Sequence, residues 1–296
     1  MVVLENDNFK IEISEDGGAL SSIYDKKNNT ELMYEPDSRS WNGKDVVIFP
    51  FVARLKDSKY MVDDKEYHLK NHGIIRYRKL NVSYKSATEA VLNLNYDKDT
   101  LSIYPYKFNF FIKYTLDDNK LSIRYKVVNV DNKNIYYELG GHPALKVDGA
   151  DTGYSFEIKN TILEFENDIV TNKYYLNEDG SLITGKSINQ IPRLLDVTKD
   201  LITEAKTIIL EASDINSVKL KTLGYEYLFD LSEAPILALW TYPGYGDYLC
   251  VEPWWGIPDI INPNPELKDK PMMRSLNPNE SEEVGYSITI IRWIRY

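Results

Sequence analysis

A two-residue alternation over residues 108–127 constrains this chain more than any other feature. Phe108, Phe110, Ile112, Tyr114 and Leu116 alternate with Asn109, Phe111, Lys113 and Thr115. After the turn Asp117-Asp118-Asn119-Lys120 the pattern resumes with Leu121, Ile123, Tyr125 and Val127. Successive strand residues point to opposite faces, so these runs predict a hairpin with one face on a core. Shorter runs of the same kind predict strands over 9–13, 90–96, 154–159, 207–212 and 286–295. Turn signals such as Asp16-Gly17-Gly18 and Asp131-Asn132-Lys133-Asn134 separate them. Sustained helical periodicity is scarce, and only 194–204 suggests a short helix or turn. No repeat or Pro/Gly/Ser linker divides the chain. The expectation is an all-β protein, a large antiparallel β-sandwich or barrel, with residues 1–296 forming one domain.

Composition narrows the function. Tyrosine is abundant (23) against nine phenylalanines. Its ring packs in a sheet while its hydroxyl stays wet, which suits a groove for polyhydroxylated ligands. A formal charge of −10 opposes phosphate backbones and anionic lipid surfaces, so no nucleic-acid or membrane partner is expected. One cysteine, Cys250, excludes an intrachain disulfide and a cysteine-only metal centre. The N-terminus lacks the basic start and apolar stretch of a signal peptide. No window nears the roughly 18 apolar residues of a spanning helix, and a cytoplasmic location is expected.

Three segments carry candidate chemistry. In Gly140-Gly141-His142-Pro143 a backbone-constrained turn presents an imidazole. Histidine titrates near neutral pH and can donate a proton there, although a histidine capping a strand has the same local signature. In Asn71-His72-Gly73 a strand continuing to Arg76 would set His72 and Arg76 on one face, four residues apart, suited to hydroxyls or an anion; an exposed polar stripe reads the same way. His68 has no special neighbours and reads as a surface residue. In Val251-Glu252-Pro253-Trp254-Trp255 an acid stands among apolar and aromatic neighbours, as a general base beside stacking indoles or as a salt-bridged acid at a strand end. Two histidines and an acid can ligate a divalent ion. The histidines lack a short pairing such as HExxH, no cysteine cluster helps, and no metal or cofactor is expected. No Gly-x-Ser-x-Gly elbow and no glycine-rich phosphate loop occur.

Four stretches together resemble the aldose 1-epimerase (galactose mutarotase) superfamily, and its bacterial galactose-mutarotase-related branch in particular. They are Phe49-Pro50-Phe51-Val52-Ala53-Arg54-Leu55, Asn71-His72-Gly73-Ile74-Ile75-Arg76, Gly140-Gly141-His142-Pro143-Ala144, and Cys250-Val251-Glu252-Pro253-Trp254-Trp255-Gly256-Ile257-Pro258-Asp259. They occur in the family's order, and the similarity runs from about residue 8 to the C-terminus. The resemblance implies a β-supersandwich with its site in an open groove on one large sheet, and turnover without cofactor or metal. It implies that Glu252 removes the proton of the anomeric hydroxyl while a protonated His142 delivers one to the ring oxygen. His72, Arg54, Arg76, Asn71 and Trp254 become the substrate-binding residues. The partner is a small-molecule sugar, and the chain a monomer or homodimer.

Two departures bear on the substrate. Relatives carry a sugar-binding aspartate where this chain reads Leu201-Ile202-Thr203-Glu204-Ala205-Lys206, with Glu204 as the available substitute. Ile74-Ile75 replaces the usual aromatic pattern after His-Gly. The expectation is an epimerase interconverting the α and β anomers of a free aldohexose. The alternatives are a hexose-6-phosphate 1-epimerase, suggested by Arg54, Arg76 and Arg78, and a non-catalytic carbohydrate-binding protein on the same fold.

Overall fold

The computed structural model describes residues 1–293. The alternating segments form the strands Phe108–Asp117 and Lys120–Asn129, registered with Leu116 opposite Leu121 and Ile112 opposite Tyr125. Every second residue is buried, as the pattern requires. The hairpin lies inside a nine-stranded antiparallel sheet. Its strand order is Leu194–Asp196, Ile162–Phe165, Ser217–Thr222, Tyr225–Asp230, Ser281–Arg292, Lys120–Asn129, Phe108–Asp117, Glu89–Asn95 and Asn81–Lys85.

A second antiparallel sheet faces it, in the order Leu139–Gly140, Tyr248–Trp255, Ile236–Trp240, Ile208–Glu211, Ile169–Leu176 and Ile183–Ile191. Ala144–Lys146 also pairs with Tyr248–Trp255. Leu249, Val251 and Trp255 from this sheet share one core with Ile112, Tyr125 and Ile288 from the first, and Tyr125 meets Trp255 edge-on at 6.2 Å between ring centroids. A four-stranded N-terminal sheet over Val2–Glu5, Phe9–Ile13, Leu20–Asp25 and Thr30–Glu31 adds Leu4, Phe9 and Ile11 to that core. The fold is therefore an all-β antiparallel sandwich. No helix among the described residues is long and apolar enough to cross a membrane.

The strands expected over 9–13, 90–96, 154–159 and 207–212 are present as Phe9–Ile13, Glu89–Asn95, Phe156–Ile158 and Ile208–Glu211. The last runs Ser281–Arg292, starting earlier than expected; residue 295 lies outside the described residues. The segment 194–204 divides. Leu194–Asp196 pairs with Ile162–Glu164, and a helix follows over Lys199–Ala205 with Thr198 accepting from the Leu201 amide. A helix over Lys98–Ile103, closed by a capping box between Asp97 and Thr100, is too short to show a period in sequence.

All eight residues of Tyr248–Trp255 are buried, because both faces of this strand are covered. Leu249, Val251 and Trp255 turn inward to the main core. Cys250 and Trp254 belong to two smaller clusters on the other face, and Glu252 lies between them.

Candidate active site

Strand register brings the expected proton donor and acceptor together. Gly140 pairs with Trp254 and Ala144 with Cys250, both antiparallel. Continuing that register across the break at 141–143 sets His142 opposite Glu252. Directly opposed residues share a face with Cβ atoms about 5 Å apart. The contact is made: His142 Nε2 lies 3.3 Å from Glu252 Oε2. Two features explain the break. Pro253 has no amide to give the ladder, although its carbonyl accepts from the Gly141 amide at 3.0 Å. A Cβ on Gly141 would come within 2.7 Å of the Tyr286 hydroxyl oxygen and 2.9 Å of that of Tyr125, so only glycine lets the segment settle onto these core tyrosines.

The pair lies at the bottom of a groove of about 500 Å³, within the range of small-molecule sites. The groove is lined by all seven residues singled out from the sequence: Glu252, His142, His72, Arg54, Arg76, Asn71 and Trp254. Three Trp rings border it. Trp254 Nε1 donates to Glu252 Oε2 at 3.1 Å, while Trp41 and Trp240 pack on the His142 ring at 5.1 and 5.5 Å between centroids. Trp255, expected to stack beside the acid, instead points into the core and donates to the Glu233 carbonyl. Adjacent strand residues cannot share a face.

His72 arrives by a different route from the one its spacing suggests. Residues 72–76 form no strand: His72 has φ 62°, Gly73 has φ 79°, and Ile75–Tyr77 is a 3-10 turn. A Cβ on Gly73 would lie 2.3 Å from the Phe49 carbonyl, so that glycine is required by both its conformation and its close approach. His72 and Arg76 reach the same groove because the turn, rather than a pleat, brings them round. The His72 amide donates to the Ala53 carbonyl, and the Ala53 amide donates to His72 Nδ1 at 3.2 Å. With Nδ1 accepting, the neutral ring carries its proton on Nε2. Burial, reinforced by His142, Arg76 and Arg54, holds His72 well below the usual histidine range.

The loop carrying Ala53 and Arg54 is tied down from below. Buried Glu138 accepts from the amides of Val52 (2.8 Å) and Ile257 (3.3 Å), joining two of the motif segments. The Asp259 amide donates to the Arg54 carbonyl, and the Asp259 carboxylate meets Lys270 Nζ at 2.6 Å with both side chains almost fully buried. Both acids position the loop; Asp259 closes the fourth of the sequence stretches, whereas Glu138 escaped sequence reasoning. Glu138 stood in an ordinary alternating run, without a local signal.

Electrostatics reverse the expected charge order of the pair in the open groove. Burial pushes the Glu252 carboxyl well above the usual range, opposed by the Trp254 hydrogen bond and reinforced by Asp45. Burial drives His142 down to about 3. Both effects oppose charge, so the single proton favours Glu252 and leaves His142 neutral. Glu252 Oε1 and His142 Nδ1 are buried without a hydrogen-bond partner. A buried polar atom left unpaired costs about 1–3 kcal/mol, so these two atoms are poised for a ligand.

Residues 1–283 match the family described as aldose 1-epimerase, nearly the whole chain. The chain belongs to the aldose 1-epimerase family. It is 24% identical to the chromosomal protein LacX of Lactococcus lactis subsp. lactis, over 98% of this chain and 99% of that one. Its fold superposes on a galactose mutarotase-like protein from Lactobacillus casei with a TM-score of 0.90 at 25% identity, covering 98% of this chain and 100% of the other. A galactose mutarotase related enzyme from Lactobacillus acidophilus gives 0.90 at 26% identity, over 99% and 98%.

Within this aldose 1-epimerase fold, Glu204 does not replace the expected aspartate. It lies on the helix Lys199–Ala205 and lines a separate cleft. An acid the sequence did not single out, Asp179, enters the groove on the turn Asp179-Gly180-Ser181, alongside Lys206, which caps that helix with φ 65°. The neighbouring basic residues Arg76, Arg78 and Lys79 also part company. Arg78 pairs with Asp99 and Lys79 with Glu15, so of the three only Arg76 reaches the groove, beside Arg54. His68 is exposed beside Glu66, as expected.

Proposed function

We propose that the chain interconverts the α and β anomers of a free aldohexose by general acid–base ring opening and reclosure. The observation that supports this best is the register-matched pair His142–Glu252, buried at the base of a sugar-sized groove with one unpaired polar atom on each partner. Mutarotation removes a proton from the anomeric hydroxyl and delivers one to the ring oxygen, so acid and base must meet the same centre. Glu252 takes the first proton and His142 supplies the second. Ring opening thus converts the charged arrangement of the pair into the neutral one. Burial favours the neutral arrangement, so the open-chain aldehyde is accompanied by the more comfortable state of the pair. Rotation of the aldehyde and the reverse transfers close the other anomer. The Nε2–H of His72 and the guanidinium groups of Arg54 and Arg76 donate to ring oxygen and hydroxyls, Asn71 offers its unpaired Oδ1 to a hydroxyl, and Trp254 holds Glu252 in place.

A second reading, a hexose 6-phosphate substrate, is favoured by one observation. Arg54, Arg76 and Lys206 line the groove, and none of them forms a salt bridge among the described residues. Three free cations in a chain of net charge −10 suit an anionic end on the sugar. Anomer exchange of glucose, galactose and glucose 6-phosphate, followed by NMR or polarimetry, separates the readings. Catalysed exchange of a free aldose is expected. Exchange of the phosphate alone favours the second reading, and no exchange above the uncatalysed rate for any sugar leaves a binding protein.

A further inference from the structure

We propose that His142, Cys250 and Glu252 form a binding site for a thiophilic divalent cation such as Zn²⁺ or Cd²⁺, and that the cation and the sugar exclude each other. The second clause rests on the proposed epimerase function; the first does not. Cys250 and Glu252 are two residues apart on the strand Tyr248–Trp255 and share its outer face, and His142 stands opposite Glu252. One ligand atom from each of the three lies within 4.8 Å of the others. A tetrahedral ion with bonds of about 2.0–2.3 Å spaces its ligands roughly 3.3–3.8 Å apart, so the wider pairs of the cluster must close by up to about 1–1.5 Å on binding. The 3.3 Å between His142 Nε2 and Glu252 Oε2 already meets that spacing.

An independent observation points to a ligand here. Glu252 Oε1 is buried and unpartnered, leaving a carboxylate lone pair free in a low-dielectric setting, and the unpartnered Nδ1 of His142 can carry the ring proton while Nε2 coordinates. The charges also balance. One thiolate and one carboxylate neutralise a divalent ion, which suits a buried centre better than either anion alone. The thiol proton of Cys250 and the carboxyl proton of Glu252 both leave to solvent as the metal bonds form. Cys250 sits behind the groove among Tyr34, Ala144 and Tyr248, while His142 and Glu252 line the groove itself. Three protein ligands therefore approach from one side, and the fourth position opens to the groove where the sugar would lie.

The test uses full-length, tag-free protein freed of metal with a chelator and titrated with CdCl₂. Cys250 is the sole cysteine, so a thiolate-to-cadmium charge-transfer band reports this site and no other, including exposed His68 beside Glu66. The expected result is one cadmium per chain with that band. Cys250→Ala and Cys250→Ser should lose the band, and cadmium affinity should fall at least about tenfold. Zinc should inhibit sugar anomerisation by the wild type, competitively with sugar and reversibly with chelator, and inhibit both variants far less. A wild type without the band, or variants that bind and are inhibited as strongly as the wild type, overturns the site. The band together with unimpeded anomerisation overturns the exclusion. Because the band needs neither turnover nor a mutant, it stands apart from any failure of the epimerase reading.

Discussion

His142 stands opposite Glu252 in the strand register, with 3.3 Å between Nε2 and Oε2, although 110 residues separate them in the chain. If the two act as acid and base on one centre, Glu252→Gln and His142→Asn should each lower kcat by about 10²–10⁴-fold while both variants still bind sugar. The double variant should be little worse than the poorer single, since each partner is of small use without the other. NMR exchange between anomers, with sugar binding measured separately, checks this.

Trp254 favours the charged form of Glu252. Its indole donates to Glu252 Oε2 and stabilises the carboxylate. Removing the donor in Trp254→Phe should raise the Glu252 pKa further, so the alkaline limb of the kcat/KM profile, where the pair loses its proton from Glu252, moves to higher pH. An unchanged limb would mean that the indole only fills space.

Asp45 accepts the His142 amide at 3.3 Å and the Leu20 amide at 2.8 Å, and burial pushes its carboxyl to about 6. A folded-state pKa above the unfolded value stabilises fully below the unfolded value and is lost as pH rises through the folded one. The contribution of Asp45 should therefore fade between about pH 4 and 6, by an amount on the order of 1–2 kcal/mol once partial exposure is allowed for. Asp45→Asn keeps the acceptor oxygen and should lose less stability than the wild type across that window. His142 has the opposite sign: its pKa lies below the unfolded value, so stability is lost as pH falls from about 6.5 toward 3. Denaturant titrations of wild type and variant at several pH values separate the two.

The Asp259–Lys270 pair anchors the loop behind Arg54. Lys270→Met would leave a buried carboxylate uncompensated, and the expected loss is about 3–5 kcal/mol. Adding Asp259→Asn should recover part of it. Urea unfolding of the two single variants and the double measures the coupling.

Lys206 and Arg78 distinguish the two substrate readings. If a phosphate is bound, Lys206→Ala should raise KM for glucose 6-phosphate by about 10–100-fold, as expected for a lost charge-assisted hydrogen bond, and barely alter that for a free aldose. Arg78→Ala should change neither, because Arg78 is turned away onto Asp99.

Much of the sandwich was legible because period-two alternation is a local property: the hairpin 108–129 and the strand Phe9–Ile13 can be read from neighbouring residues. The short helices were poorly visible, since six or seven residues span too few turns to show a period. Tyr248–Trp255 hid its two faces, being apolar on both, so Trp255 could not be told from Trp254. The groove-lining members of the site were legible from their four motifs, but Asp179, Lys206, Trp41 and Trp240 were not, because no local pattern marks a residue that reaches the groove from another element.

The sequence by itself determined the strand-dominated architecture and the types of side chain available for proton transfer, because pleat period, turn chemistry and scarce titratable groups are written locally. Only the tertiary structure decided that His142 meets Glu252, that Trp255 leaves the groove and Asp179 enters it, and that burial opposes charge on both members of the pair. Those outcomes depend on register between distant strands and on burial, and both exist only once the sheets have packed.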